Sequence, residues 1–349
     1  MHLLSSPCRF RFKTTLAAIA ILLLGQAFVS AEELKEPRFL LAWGQKGDKP
    51  GEFHSPIGIA INRQDQIFVT DLNNARVQKF DSAGKYLGGF DLPLDAPPRK
   101  QCIIGGIAID GAGQIYLSYM VQHKVAVYTE EGKLIREWGK RGTGDGEFNQ
   151  PGGILLQPDG TLYVVDQCNH RVQKFTAEGK FLARWGEHGL KPGQFGGPEK
   201  AGSRFAGPHF LAQDSKKRLY TTEGVLGRVQ QLTAEGKPLL TWGDKGMQPG
   251  GFGEYHFGSL KNTFGPIGIA VDQHDRIWVS SLNDRVQAFT PEGTYLFGIS
   301  QSGVKPGQLD TPHGMAFDRH GYLYVADAGN QRIQKFEVPP PVPLLKTRP

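Results

Sequence analysis

The sequence predicts an all-β fold, a six-bladed β-propeller whose blades are four-stranded and antiparallel. Three observations predict it. One phrase recurs six times after Pro37, and each copy holds short runs that are rich in β-branched and aromatic residues. The chain also contains 46 Gly and 23 Pro, which suit many strands joined by tight turns.

A basic residue in the recurring "RVQ" pattern marks each copy. It lies at Arg76, Lys124, Arg171, Arg228, Arg285 and Arg332, so successive copies are 47 to 57 residues apart. Residues 56–90, 151–185 and 312–336 carry the phrase in its most similar form. Six copies at this spacing indicate a repeat architecture and not a chance similarity.

Each copy supplies its strands in a fixed order. In the first copy "IGIAI", "QIFVT" and "RVQKF" are the first three strands, and a "D-x-x-G"-like turn separates such runs. A fourth strand ends six residues after the next turn glycine, at Phe90, Trp138, Trp185, Trp242 and Ile299. Four strands per copy are what a propeller blade requires.

The two ends of the repeat region complement each other. The sixth copy ends at Phe336 without a fourth strand, whereas "FLLAWG", residues 39–44, has the fourth-strand pattern and no repeat before it. We therefore predict that strand 39–44 completes the last blade and closes the ring, which removes the open sheet edge.

The N-terminus has the pattern of an export signal. Arg9, Arg11 and Lys13 precede the apolar run 16–25, and small residues lead to a cleavage site near Ala31. We predict a signal peptide over 1–31, a propeller over 32–338 and an extended proline-rich tail over 339–349. The mature protein is expected in the periplasm or outside the cell, with no stable membrane insertion after cleavage. An uncleaved membrane anchor is the alternative.

Charge and cysteine content narrow the function classes. Without residues 1–31 the chain holds 37 basic and 34 acidic residues, which argues against a nucleic-acid partner. We expect a monomer. Two cysteines remain, Cys102 and Cys168, and in an exported protein they predict a disulfide between neighbouring blades.

The repeat phrase resembles the NHL-repeat family of six-bladed propellers. The phrase "I-Y-V-x-D-x-x-N-x-R-V-Q-x-F" is matched best by copies 1, 3 and 6. The resemblance implies a structural loop network at Asp71, Asn74 and Arg76, at Asp166, Asn169 and Arg171, and at Asp327, Asn330 and Arg332. Copy 2, with Tyr119, and copy 4, with Glu223, depart from this pattern, so we expect their loops to be held differently.

Two of the loops that join consecutive blades are extended. They run between Trp185 and Pro208 and between Trp242 and Pro266, and both flank blade 4. Long variable loops are where binding residues usually lie. We therefore predict a ligand-binding rim formed by Lys200, Arg204, Tyr255 and His256, although these loops also fit a purely space-filling role.

Two histidines share one position of the repeat. The residue after the proline that starts the first strand is His209 in copy 4 and His313 in copy 6. This first strand lines the central channel, and imidazoles from alternate blades are suited to holding a divalent metal ion. The alternative is that each histidine caps its strand by hydrogen bonding.

The pattern "P-H-x-x-x-x-D" resembles the peptidyl-hydroxyglycine amidating lyase branch of these propellers. That resemblance implies zinc held by channel histidines, with tyrosine and arginine assisting. His209 and His313 match two ligand positions, whereas the third, in copy 2, is Gly105. His256 is the candidate for a substitute ligand, and zinc is the cofactor that such a site implies.

Two hypotheses of function follow. The first is a binding scaffold that holds a protein, peptide or glycan ligand over the channel mouth. The second is a metal-dependent lyase or hydrolase that uses His209 and His313. The acidic residues fall in turns, so the sequence does not support a calcium-dependent lactonase, and it contains no G-x-S-x-G, P-loop or H-E-x-x-H motif.

Overall fold

A computed structural model describes residues 36–94, 103–196, 207–253 and 265–340. Six four-stranded antiparallel sheets account for the repeats, which confirms the predicted six-bladed propeller. The predicted signal peptide, most of the tail, and the residues Lys200, Arg204, Tyr255, His256 and Cys102 lie outside the described residues. Within the described ranges, no helix is long and apolar enough to cross a membrane.

The strands follow the order that the repeats predict, from the channel outward in each blade. The N-terminal strand is β1 (Arg38–Trp43). Blade 1 contains β2 (Pro56–Ile61), β3 (Ile67–Asp71), β4 (Arg76–Phe80) and β5 (Tyr86–Asp91). Blade 2 contains β6 (Ile104–Ile109), β7 (Ile115–Tyr119), β8 (Lys124–Tyr128) and β9 (Leu134–Trp138). Blade 3 contains β10 (Pro151–Leu156), β11 (Leu162–Asp166), β12 (Arg171–Phe175) and β13 (Phe181–Trp185). A short 3-10 helix (Gln167–Asn169) follows β11.

Blades 4 to 6 continue the ring. A two-residue parallel bridge, β14 (His188–Gly189) with β15 (Phe195–Gly196), precedes blade 4. Blade 4 contains β16 (Leu211–Gln213), β17 (Leu219–Glu223), β18 (Arg228–Leu232) and β19 (Pro238–Trp242). Blade 5 contains β20 (Pro266–Val271), β21 (Ile277–Ser281), β22 (Arg285–Phe289) and β23 (Tyr295–Ile299). Blade 6 contains β24 (Pro312–Phe317), β25 (Tyr322–Asp327) and β26 (Arg332–Glu337).

Strand β1 closes the ring, as predicted. It pairs with β26, with Phe39 opposite Phe336 and Trp43 opposite Ile333, and so becomes the fourth strand of blade 6. The inner strand β2 contacts β6 on one side and β24 on the other. Blade 6 therefore lies beside blade 1 and across the channel from blade 3.

The hydrophobic core lies between the blades. In the described residues it forms six clusters, one at each blade interface. The cluster between blades 6 and 1 contains Phe53, Phe80 and Tyr324, all fully buried. Burial of each such side chain stabilises the fold by roughly 1.5–3 kcal/mol. Neighbouring blades are separate sheets without strand pairing between them, so side-chain packing holds the ring together.

The turns after the inner strands hold a recurring polar contact on the lower face. An aspartate that follows the inner strand accepts a hydrogen bond from an aromatic side chain on the second strand, at 2.9 to 3.0 Å. The pairs are Asp214 with Tyr220, Asp272 with Trp278, and Asp318 with Tyr324. These buried contacts hold the lower-face turns of blades 4, 5 and 6.

Candidate functional site at the channel mouth

The upper face carries two kinds of loop: those that join consecutive blades, and those that join the second and third strands of one blade. In blade 1 these loops meet at Asp71, which is fully buried. Its Oδ2 accepts hydrogen bonds from Asn74 Nδ2 at 2.8 Å and from Arg76 Nε at 2.9 Å. Arg76 also donates to three carbonyls of the preceding blade-joining loop, those of Asp48, Lys49 and Glu52.

The same hydrogen bonds occur in blades 3 and 6. Asp166 accepts from Asn169 and Arg171, and Asp327 accepts from Asn330 and Arg332, at 2.7 to 2.9 Å. In each blade the arginine then reaches carbonyls of the loop 24 to 28 residues earlier. The nine residues that the sequence assigned to this network are therefore grouped as three triads.

The other blades are held differently. In blade 2 the hydroxyl groups of Tyr119 and Tyr128 are 2.6 Å apart, and in blade 5 Ser281 Oγ lies 2.5 Å from Asn283 Oδ1. Blade 4 departs less than the sequence suggested. Glu223 replaces the aspartate and still accepts from Arg228 Nε at 2.8 Å, since the carboxylate and the guanidinium keep the register of the other blades.

A cavity of about 510 Å³ lies at the upper end of the channel. Two positions of every blade line it. The first is the residue that follows the start of the inner strand, which we call the slot residue: Ile57, Gly105, Gly152, His209, Ile267 and His313. The second is the residue that follows the second strand, which we call the ring residue: Leu72, Met120, Gln167, Gly224, Leu282 and Ala328.

The sequence register therefore places His209 and His313 in one cavity, on alternate blades. His313 is half-buried at the start of β24, and burial lowers the pKa of its imidazole to about 4. This histidine is neutral at pH 7, which leaves a ring nitrogen as an acceptor or a metal ligand.

His209 is almost fully buried, with 5% of its surface exposed. The side-chain amide nitrogen of Gln167 lies 2.5 Å from its Nδ1. An amide N–H donated to Nδ1 places the proton of a neutral ring on Nε2. In that tautomer Nε2 is a donor on the side of Gly224. The two residues are so close that a Cβ atom at position 224 would lie 2.9 Å from Nε2.

The third ligand position expected for a zinc site is sterically closed. A Cβ atom added to Gly105 would lie 2.4 Å from the carbonyl oxygen of Pro151 and 2.8 Å from the Cα of Gly152. Both neighbours are backbone atoms and cannot turn aside. Across the described ranges, no group of three or more His, Cys, Asp or Glu side chains is arranged to hold a metal ion. The described residues thus supply two histidines and do not fit a three-ligand site.

Among the described residues, the cavity lining contains no Asp, Glu, Lys or Arg side chain. Its described residues are mostly Ile, Leu, Met, Ala and Gly, with Phe210 beside His209. The polar groups are two histidines, Gln167, Gln331, Ser55 and Thr311. Because carboxylates are missing from the described part of this lining, it lacks the charged oxygen ligands that calcium sites usually include.

The repeat pattern did not single out four of these polar residues, although each lies within two positions of a residue that it marks: Ser55, Thr311, Gln167 and Gln331. Ser55 and Thr311 immediately precede the proline of the inner strand, and Gln167 follows β11. A comparison of the six copies at these two positions, the residue before the inner strand and the residue after the second strand, would have found most of these polar residues.

A second cavity, of about 550 Å³, opens on the upper face beside blade 3. It is lined by Cys168, His170 and His188, whose two imidazole rings are 4.7 Å apart in an edge-to-face contact. Burial, with His188 nearby, lowers the pKa of His170 to about 4.

The disulfide predicted between Cys102 and Cys168 stays a prediction, since Cys102 lies outside the described residues.

Known proteins resemble parts of this chain. The NHL repeat family matches residues 53–80, 148–175 and 309–336, which fall in blades 1, 3 and 6. Peptidylglycine alpha-amidating monooxygenase of Rattus norvegicus is 33% identical over 137 residues, 37% of this chain and 14% of that protein. Protein brain tumor of Drosophila melanogaster is 30% identical over 104 residues, 28% of this chain and 10% of that protein.

These matches span a small part of the curated relatives, 14% of one and 10% of the other. A solved virginiamycin B lyase from Staphylococcus aureus, 17% identical, superposes with a TM-score of 0.54 and covers 86% of this chain and 99% of that chain. At that identity the likeness concerns the fold alone. The chain is an NHL-repeat six-bladed propeller with distant, partial homology to peptidylglycine alpha-amidating monooxygenase.

Proposed function

We propose that this chain is an exported binding propeller that holds a peptide or a protein segment at the mouth of its channel. One observation carries the proposal: all six blades contribute to one mainly apolar cavity of about 510 Å³ on the upper face, and none of its described lining residues is Asp, Glu, Lys or Arg. Ligand sites of proteins usually have this size and this mixture of an apolar wall with a few polar groups.

The lining favours a peptide over a glycan. Half-buried apolar side chains, including Ile57, Leu72 and Leu282, face the cavity and gain by covering an apolar group. A glycan presents many hydroxyl groups, each of which needs a hydrogen-bonding partner when it leaves water. The few polar side chains of the lining suit the small number of amide groups in a short peptide segment.

Export is the part of the proposal that depends on residues 1–31. Their basic start, apolar run and small residues near Ala31 support it. Mass spectrometry of the protein recovered from the periplasm or the medium should show an N-terminus close to Glu32. An intact N-terminus on protein found only in the cytoplasm would contradict export.

Binding at the mouth is tested by blocking it. Peptides selected from a random display library on the mature protein should bind at least about tenfold more weakly to Leu72→Trp and Leu282→Trp, because the added rings occupy the cavity. Leu134→Trp is the matched control, since Leu134 lies on the outer strand β9 and is 46% exposed. Equal binding to all three variants would place the ligand elsewhere.

A metal-dependent lyase is the second candidate. It is supported by the position of His209 and His313 in one cavity and by the partial homology to the rat amidating monooxygenase. The described residues supply too few ligands, so we expect the purified mature protein to carry no stoichiometric zinc. Stoichiometric zinc that is lost in His209→Ala and in His313→Ala would instead favour the lyase and would point to His256 as a further ligand.

A further inference from the structure

The polar groups of the channel mouth are divided between opposite sides. Ser55, Thr311 and His313 belong to blades 6 and 1, whereas Gln167 and His209 belong to blades 3 and 4. Blade 6 faces blade 3 across the channel. The slot and ring residues of blades 2 and 5, which lie between these sides, are Gly105, Met120, Ile267 and Leu282.

The side formed by blades 3 and 4 offers an acceptor. Gln167 is 2% exposed, and its amide nitrogen contacts His209. Its carbonyl oxygen Oε1 is buried and has no hydrogen-bond partner among the described residues. A buried amide oxygen without a partner costs free energy. Because Oε1 has less than 1 Å² of accessible surface, the Gln167 side chain must turn toward the cavity to accept a ligand N–H, and the hydrogen bond formed offsets that cost.

The side formed by blades 6 and 1 offers hydroxyl groups that can donate. Thr311 adopts φ 46°, an uncommon conformation for a β-branched residue, and its backbone N–H is held by Asp284 Oδ1 at 2.8 Å. Ser55 has φ 66°, and its N–H is held by Gln331 Oε1 at 2.6 Å. Gln150 has φ 56° at the same position of blade 3, and its N–H is held by His123 Nδ1 at 3.0 Å, so this conformation belongs to the repeat. It places two hydroxyl-bearing residues, Ser55 and Thr311, in the cavity lining.

The geometry points to an uncharged peptide segment as the ligand of this mouth. Its apolar side chain lies between blades 2 and 5, one backbone N–H donates to Gln167 Oε1, and a carbonyl oxygen accepts from the Thr311 hydroxyl group. This inference rests on the proposed function, since it names the chemistry of the group that the cavity receives.

Charge should be excluded for a physical reason. A carboxylate or ammonium group that enters the cavity leaves water and meets no described side chain of opposite sign. His313 does not supply one, because it is neutral at pH 7. An amide group loses less on leaving water and finds both a donor and an acceptor.

The test uses three forms of the tripeptide Ala-Phe-Ala on the mature protein: acetylated and amidated, with a free carboxylate, and with a free amine. Calorimetry or NMR titration should show the capped form binding at least about tenfold more tightly than either charged form. Gln167→Met and Thr311→Ala should each weaken the capped form by about three- to tenfold. Thr311→Ser, which keeps the hydroxyl group, should bind like the wild type.

A gain of function tests the same point. Leu282→Lys adds a cation to the half-exposed wall and should make the free-carboxylate peptide the best ligand of the three. Leu134→Lys, on the outer strand, should leave the order unchanged. Thermal unfolding of each variant confirms that it is folded.

The outcomes separate the two claims. If none of the three peptides and no displayed peptide binds at the mouth, the proposed function is wrong and this inference falls with it. If charged and capped peptides bind equally well, peptide binding stands and the inference is overturned. Unchanged affinity in Gln167→Met would also overturn it, because the orphan oxygen would then have no part in binding.

Discussion

Blades 1, 3 and 6 and blades 2, 4 and 5 hold their upper-face loops in different ways. In the first set an Asp–Asn–Arg triad ties the loop inside the blade to the loop that precedes it. The second set uses a tyrosine pair, a glutamate and a serine at the position of the aspartate. The first set is also the part of the chain that the NHL repeat family matches.

The difference teaches what the triad does. Each preceding loop in the first set spans 13 residues, from Trp43 to Pro56, from Trp138 to Pro151 and from Ile299 to Pro312. In these blades the arginine bonds carbonyls 24 to 28 residues earlier, so it anchors a loop of one length. Before blades 4 and 5, where the triad is altered, the loops take 23 and 24 residues. Arg228 and Arg285 still bond carbonyls of these longer loops, 34 to 38 residues earlier, so the anchor tolerates an insertion between it and the next blade.

At the channel mouth one contact joins the two sets. Blade 3 supplies Gln167 from a loop that its triad fixes, and blade 4 supplies His209, which lies two residues before β16 and donates its backbone N–H to Thr222 O at 2.9 Å. A rigid neighbour therefore positions a side chain in a less regular blade.

The largest effect should come from breaking a triad. Asp166→Ala leaves the nearly buried Arg171 without its carboxylate partner, so we expect the free energy of unfolding to fall by about 3–5 kcal/mol. Ser281→Ala, at the same position in blade 5, removes one neutral hydrogen bond and should cost about 1 kcal/mol. Urea unfolding measures both values. Equal losses would show that the triad is no more than a local hydrogen bond.

A smaller effect should come from filling the slot position of blade 2. Gly105→Ala places a methyl group against two backbone atoms of blade 3, and we expect a loss of about 2 kcal/mol. Gly51→Ala meets open space and should cost about 1 kcal/mol, through its positive φ of 84° alone. If Gly105→Ala folds with unchanged stability, blade 2 can accept a side chain here, and the steric argument against a third ligand fails.

The sequence allowed much of this to be predicted. Repeat spacing determined the six blades, and the unmatched strand near Phe39 determined how the ring closes, because a missing fourth strand and an extra one can satisfy each other. The register also placed His209 and His313 correctly in relation to the channel. These features depend on periodic patterns, which are visible in one sequence.

Other features could not be predicted because they depend on contacts between repeats. The closure of the Gly105 position follows from the backbone of Pro151 in the next blade, and the orphan oxygen of Gln167 follows from its contact with His209. Glu223 appeared to break the triad pattern, yet its carboxylate accepts from Arg228 as the aspartates of blades 1, 3 and 6 do from their arginines. Distances between side-chain atoms decide such cases, and the repeat pattern does not contain them.

The smallest effect should be the pH dependence that His313 introduces. Its pKa is about 4 in the folded protein against 6.5 in the unfolded chain, so as pH falls through 6.5 the unfolded chain takes up the proton first. Unfolding free energy should therefore decrease between pH 6.5 and 4, and the part due to His313 is about 1 kcal/mol because the side chain is half-buried. His313→Gln should flatten the profile by that amount. A profile that His313→Gln leaves unchanged would mean that folding does not shift the pKa of this histidine from 6.5, so its imidazole would carry a charge at the channel mouth only below that pH.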